Sequence, residues 1–213
     1  MTKIIMIRHG QSQANAQNLF AGHSDFDLTD LGKRQALLAA EYLYKHEKID
    51  KIYSSDLLRA YNTACPIAKI FSLPIIKDTS LREIFAGEWE GLSFPEIKER
   101  YPTVYDTWIN DYSHVRCVGG ESTTDVYNRV IPYVTDIAKK NEGKCVLLST
   151  HATIVRAVEA YSRGYASDES GEVHFSHNAS INIYVYEDRK ISPIRTDITD
   201  HIKESMTPLP PNA

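Results

Sequence analysis

Ile5-Met6-Ile7-Arg8-His9-Gly10-Gln11-Ser12-Gln13-Ala14-Asn15 is the stretch on which the chain is decided. A short apolar run ends in an adjacent arginine and histidine, and a glycine turn follows. Two other segments repeat the arrangement. Lys51-Ile52-Tyr53-Ser54-Ser55 runs on to Arg59, and Cys145-Val146-Leu147-Leu148-Ser149-Thr150 runs into His151. Three strand-like runs thus each deliver a cation or an imidazole at or just past the carboxyl end. In an open α/β sheet those ends converge on one crevice, where ligands bind. Two arginines, two histidines and a glycine turn in one crevice suit a phosphate monoester.

Working outward, strands are expected at 3–8, 51–54, 73–77, 144–149, 180–186 and 190–196. The first and fourth are apolar without alternation, the pattern of strands covered on both faces. Ile181, Ile183 and Val185 alternate with Asn182, Tyr184 and Tyr186, and Glu187-Asp188-Arg189 predicts a closing hairpin. Between the strands lie helical rhythms. Thr29 can cap a helix carrying Ala36, Ala39, Ala40 and Leu43; a second begins near Leu57; a third begins at Ser122, with Asp125 completing a capping pair and Pro132 expected to kink it; a fourth follows His151. Strands alternating with helices predict an α/β fold: a three-layer αβα sandwich around a doubly wound, mostly parallel sheet. Residues 84–121 break the rhythm and are rich in aromatics, which predicts a helical insertion over the crevice, with local packing as the ordinary explanation of the rings. We expect one domain over 1–200 and a poorly ordered tail over 201–213, where Pro208-Leu209-Pro210-Pro211 falls.

The 213 residues suffice for one sizeable core, and 42% hydrophobic with 24% charged residues is ordinary globular composition. A net charge of -4 argues against a basic field for nucleic acid or an anionic membrane. No apolar run approaches the roughly 18 residues of a membrane span. Cys65, Cys117 and Cys145 are odd in number and lack metal spacing, so buried free thiols are expected. With Met1-Thr2-Lys3 entering the first strand at once, a cytoplasmic location is expected. The sequence is silent on oligomeric state, a homodimer included.

Phosphoryl transfer needs an in-line nucleophile, positive charge on the equatorial oxygens and an acid for the leaving oxygen. His9 is the candidate nucleophile. Neighbouring cations such as Arg8 and Arg59 would keep it neutral, and a backbone carbonyl would fix its tautomer. Alone, a histidine after a strand is more often structural; Arg8, Gly10 and Asn15 beside it shift the balance. Arg8 and Arg59 would clamp the phosphate with fixed donor forks. Gly10 would let the backbone approach the anion, Asn15 would be a neutral donor, and His151 would donate to the phosphate oxygens. Spacing alone does not single out the acid. Glu83, in Leu81-Arg82-Glu83-Ile84, lies at the same rim, although a lone glutamate is as easily a surface carboxylate.

The run Arg8-His9-Gly10-Gln11-Ser12-x-x-Asn15 resembles the histidine phosphatase superfamily, the phosphoglycerate-mutase-like group. So do Phe20-Ala21-Gly22-His23-Ser24-Asp25 through Leu28-Thr29-Asp30-Leu31-Gly32, and the run from Ser54 through Arg59 to Ala64. Leu81-Arg82-Glu83 with Gly87-Glu88-Trp89-Glu90-Gly91, then Gly120-Glu121-Ser122, complete the series in order. The resemblance implies that His9 becomes phosphorylated and Glu83 donates the proton. Arg8, Arg59 and His151 would complete the phosphate pocket, with Asn15 and the Ala21-Gly22 backbone near the substrate. Ala152 stands where the family usually has glycine; its amide can still donate, so tuning is expected. Gln11 replaces the commoner glutamate and removes a negative charge near the phosphate.

The expected activity is metal-independent hydrolysis of a small anionic phosphomonoester, with no cofactor. A phosphoglycerate mutase is the runner-up. Between Ile84 and Glu121, however, only Lys98, Arg100 and Arg116 stand against seven carboxylates, a poor cradle for a polyanion. Two remoter alternatives are a metal-dependent hydrolase using His9, His23, His151 and Asp25, and a silent binding module.

Overall fold

The computed structural model describes residues 1–209. In chain order the elements are β1 (Thr2–Arg8), α1 (Gln13–Gln17), α2 (Asp30–His46), β2 (Lys51–Ser54), α3 (Leu58–Phe71) and β3 (Ile75–Lys77). They continue with α4 (Phe94–Arg100), α5 (Pro102–Asn110), α6 (Thr123–Lys140), β4 (Cys145–Thr150), α7 (Ala152–Ser162), β5 (Ile181–Glu187) and β6 (Lys190–Ile198). The six strands form one sheet in the order β3-β2-β4-β1-β5-β6. Pairings from β3 to β1 are parallel, while β5 runs antiparallel to both neighbours.

The central strands are apolar on both faces because both are covered. Ile4, Met6, Val146 and Leu148 point into a core shared with α6, α7 and the insertion. Ile5, Ile7, Leu147 and Ile52 point the other way, into a core shared with α2 and α3. Period-two side chains thus serve two different cores, which is the three-layer sandwich expected.

The helices start where their caps dictate. Thr29 Oγ1 accepts from the Gly32 amide. Ser122 and Asp125 form the reciprocal capping box that opens α6. That helix runs through Pro132 as one element, and the third strand is shorter than its expected span, at Ile75–Lys77. Cys117 and Cys145 are buried free thiols as expected, while Cys65 is only half-buried.

The tail expectation meets a different picture over 201–209. A 3-10 turn at Asp200–Ser205 buries Ile202 against the body, and Thr207 is buried as well. The Gln35 amide nitrogen, on α2, donates to Ser205 O at 2.5 Å and to Thr207 Oγ1 at 3.2 Å, tying this segment down. The remainder of the tail, 210–213, lies outside the described residues. No helix among the described residues is long and apolar enough to cross a membrane.

Candidate active site

Strand register builds the site. Arg8 pairs with Thr150 across β1 and β4, so the next residues, His9 and His151, leave the sheet side by side. Ser54 pairs with Ser149, which puts Ser55 and the start of α3 at the same end. A cavity of about 690 Å³ opens there. Arg8, His9, Asn15, Ala21, Gly22, Arg59, Glu83 and Ala152 are among its lining residues. Phe20, Phe94, Tyr105, Trp108 and Phe175 supply an aromatic wall, with Lys98, Pro208 and Leu209 beside it.

His9 is buried, and its Nδ1 lies 2.7 Å from Gly10 O. A carbonyl only accepts, so Nδ1 carries the proton and Nε2 keeps its lone pair. Burial first, then Arg59 and Arg8, hold the imidazole well below its usual pKa, so it stays neutral.

The two guanidiniums are held from behind. Arg8 Nη1 donates to Ser176 O at 2.6 Å. Arg59 donates from Nη1 to Ser24 O at 2.9 Å and from Nη2 to Gly22 O at 2.7 Å. The Nε of each is buried without a partner among the described residues. Desolvation brings Arg8 down to about 10 and lowers Arg59, opposed in both by the charge of Glu83. Both remain cations at neutral pH.

Glu83 is fixed at the opening of α7. Its Oε1 accepts from the Ile84 amide at 2.9 Å and its Oε2 from the Thr153 amide at 3.4 Å. The loop carrying Ala21 and Gly22 is shaped by Glu90, which accepts from the His23 amide at 2.7 Å and from Ser24 Oγ at 2.6 Å. Gly22 has φ +48, and a Cβ there would meet Glu90 Oε1 at 2.6 Å. Only glycine fits.

Two residues, Gly10 and Gln11, sit differently from their sequence-based roles. Gly10 and Gln11 lie behind the nucleophile, outside the cavity wall. The Gly10 amide donates to Thr63 Oγ1 at 3.0 Å, and a Cβ on Gly10 would meet Gly32 O at 2.5 Å. Glycine is required there for packing against the start of α2. Gln11 donates its amide to Gln35 Oε1 at 2.8 Å and accepts from Thr29 Oγ1 at 2.7 Å. His151 is fully buried beneath His9 and contacts Ser55 Oγ through Nε2 at 2.8 Å. That hydroxyl accepts from the Leu57 amide and still has its own proton to offer Nε2, an arrangement compatible with a neutral ring protonated on Nδ1. Nδ1 of His151 is buried without a partner among the described residues.

Sequence reasoning missed the segment before β5. Because β5 is antiparallel, it begins where β1 ends, and Asn178 Nδ2 reaches His9 O at 2.9 Å and Asn15 Oδ1 at 3.2 Å. Asn15 itself closes the capping box of α1 with Ser12. The metal alternative has no geometric support: among the described residues no three His, Cys, Asp or Glu side chains gather into a metal-binding group.

Comparison with known proteins agrees with this geometry. Residues 4–198 match the family model described as histidine phosphatase superfamily (branch 1). The chain is 35% identical over 205 residues to phosphoserine phosphatase 1 of Hydrogenobacter thermophilus, covering 96% of each chain. It is 34% identical over 192 residues to the metal-independent phosphoserine phosphatase of Arabidopsis thaliana, covering 89% of this chain and 79% of that one. Among solved structures, mycobacterial glucosyl-3-phosphoglycerate phosphatase complexed with VO3 superposes with a TM-score of 0.82 at 30% identity, covering 92% of this chain and 97% of that one. The chain belongs to branch 1 of the histidine phosphatase superfamily, and its activity is that of a phosphoric monoester hydrolase.

Proposed function

We propose that the chain hydrolyses a small phosphomonoester in two steps through a phosphohistidine at His9. The observation that carries the proposal is the single free lone pair on a buried, neutral imidazole flanked by two guanidiniums. In the first step, His9 Nε2 attacks phosphorus while the bond to the leaving oxygen breaks, and Glu83 gives that oxygen its proton. Arg8, Arg59, the His151 Nδ1–H and the Ala152 amide take the charge on the equatorial oxygens. Asn15 and the Ala21-Gly22 backbone face the substrate from the other side. In the second step Glu83, now a carboxylate, takes a proton from water as it attacks the phosphorus, and His9 is released. Removing one such preorganised donor lowers the rate by about 10²–10³.

Hydrolysis is favoured over mutase activity by the pairing of the insertion's arginines. Arg116 lies 2.8 Å from Asp125, and Arg100 lies 3.8 Å from Glu96. Only Lys98 from that segment brings a cation to the cavity. That supports release of the alcohol and attack by water, not retention of a phosphoglycerate for return transfer. The relatives named for phosphoserine and glucosyl-3-phosphoglycerate make both compounds first members of a substrate panel. Three unpaired thiols suit a reducing cytoplasmic setting, and the acidic net charge suits a small-molecule substrate over nucleic acid or a membrane.

The test is rapid-quench labelling with a ³²P-phosphomonoester. We expect an acid-labile, base-stable label on wild type and none on His9→Ala, with turnover abolished while circular dichroism is unchanged. A labelled His9→Ala protein would sink the mechanism. EDTA should leave the activity intact; loss restored by zinc would favour the metal route. Efficient isomerisation of 3-phosphoglycerate with little hydrolysis would favour the mutase.

A further inference from the structure

We propose that Arg156 is a positioning residue that sets leaving-group selectivity by locking Phe175 into the cavity wall. Arg156 lies on α7, one turn beyond Ala152 and Thr153, which line the cavity. It is 5% exposed, and no carboxylate among the described residues pairs with it. Glu159 on the same helix is engaged by Arg163 and by the Tyr184 hydroxyl. Arg156 Nη2 donates to Gly171 O at 2.9 Å, while Nε and Nη1 are buried without an acceptor among the described residues.

What the guanidinium does have is two rings. Its central carbon sits 3.8 Å from the Tyr112 ring centroid and 4.5 Å from that of Phe175. The rings meet each other edge-on, 5.4 Å apart at 79°. A planar cation therefore fills the corner between two perpendicular π-faces and fixes both planes at once, geometry an ammonium does not supply. An unpaired buried charge is unfavourable, and an apolar side chain of similar volume would pack a core at least as well. Orientation of the rings is what the charge adds.

The contact joins three parts of the site. Tyr112 belongs to the insertion, Arg156 to the helix that opens beside His151, and Phe175 to the segment entering β5. Phe175 lines the cavity, and the next residue, Ser176, holds Arg8 through its backbone carbonyl rather than its side chain; a loosened Phe175 ring should therefore be felt by the leaving group more than by the phosphate.

This inference rests on the cavity being where the phosphomonoester binds. The experiment uses the full chain with Arg156→Lys, Arg156→Met, Phe175→Ala and the double variant Arg156→Lys/Phe175→Ala. The readout is the ratio of kcat/KM for naphthyl phosphate to that for glycerol phosphate, with inhibition by inorganic phosphate alongside. We expect the ratio to fall about tenfold in each Arg156 variant, the scale of a mis-shaped apolar pocket. The phosphate inhibition constant should stay within about threefold, and Arg156→Lys should change the ratio no further in the Phe175→Ala background. Equal losses on both substrates, additive losses in the double variant, or failure of both Arg156 variants to fold would each overturn the proposal. Labelling of His9 in the same preparations keeps the two readings apart: it can fail while the ratio responds, or succeed while the ratio does not.

Discussion

The rings of His9 and His151 meet edge to face, with centroids 5.2 Å apart and planes at 62°. Both are buried, and burial followed by the charge of Arg59 drives both well below the ordinary histidine pKa. Two neutral imidazoles can share this space where two imidazolium ions cannot. The C2 proton resonances of both rings should therefore stay flat across about pH 5.5–8, where an ordinary histidine titrates. His114 is exposed beside Asp111, which raises its pKa, and should titrate in the same spectra. A midpoint near 6.5 for His9 would contradict the assignment.

The same shifts carry a sign for stability. The folded pKa of each ring lies below its unfolded value, so below about pH 6.5 the unfolded chain binds more protons. Stability is therefore complete above that pH and declines as pH falls towards the folded values. Each ring contributes a slope of up to about 1.4 kcal/mol per pH unit. His114 works in the opposite direction but is exposed and screened. Chemical denaturation should show a lower unfolding free energy at pH 5.5 than at pH 7, and His151→Asn should flatten that dependence.

Glu83→Gln separates proton donation from folding. The amide oxygen can keep the Ile84 bond now made by Oε1, so the melting temperature should hardly move. Turnover of an alkyl phosphate should fall by about 10²–10⁴, the usual worth of a positioned acid. p-Nitrophenyl phosphate, whose phenolate leaves without a proton, should lose less than about tenfold in its first step. Equal losses on both substrates would remove Glu83 as the donor.

Gly10→Ala tests packing behind the nucleophile. The new methyl would sit 2.5 Å from Gly32 O, and Gly32→Ala would press on Gln11 O at 2.1 Å. Both contacts are with backbone, which yields only by moving the turn after β1. Each variant should lose about 1–3 kcal/mol in urea titrations, with activity falling as His9 is displaced. A fully stable Gly10→Ala protein with weakened phosphate binding would instead restore an anion-contact role for Gly10.

Much of the molecule is encoded locally. The apolar runs through Ile5 and Leu147, the Thr29 and Ser122 caps and the helical spacing of α2 each depend on neighbours a few residues away, so they can be read without knowing the fold. The same holds for Arg8, His9, Arg59 and His151, because a strand that ends in a crevice delivers whatever residue follows it; Glu83 stands out only through the family resemblance. What sequence alone left undecided depends on pairing between distant segments. Gly10 reads locally as a phosphate-loop glycine, and only the placement of Gly32 by α2 shows its packing role. Ser176 and Asn178 reach the site only because β5 pairs antiparallel with β1 and starts at its far end. Leu209 lines the cavity only because Gln35 anchors the segment before it. Periodicity and caps report short-range preference; which residues close the cavity is set by strand order and register, which couple positions more than a hundred residues apart.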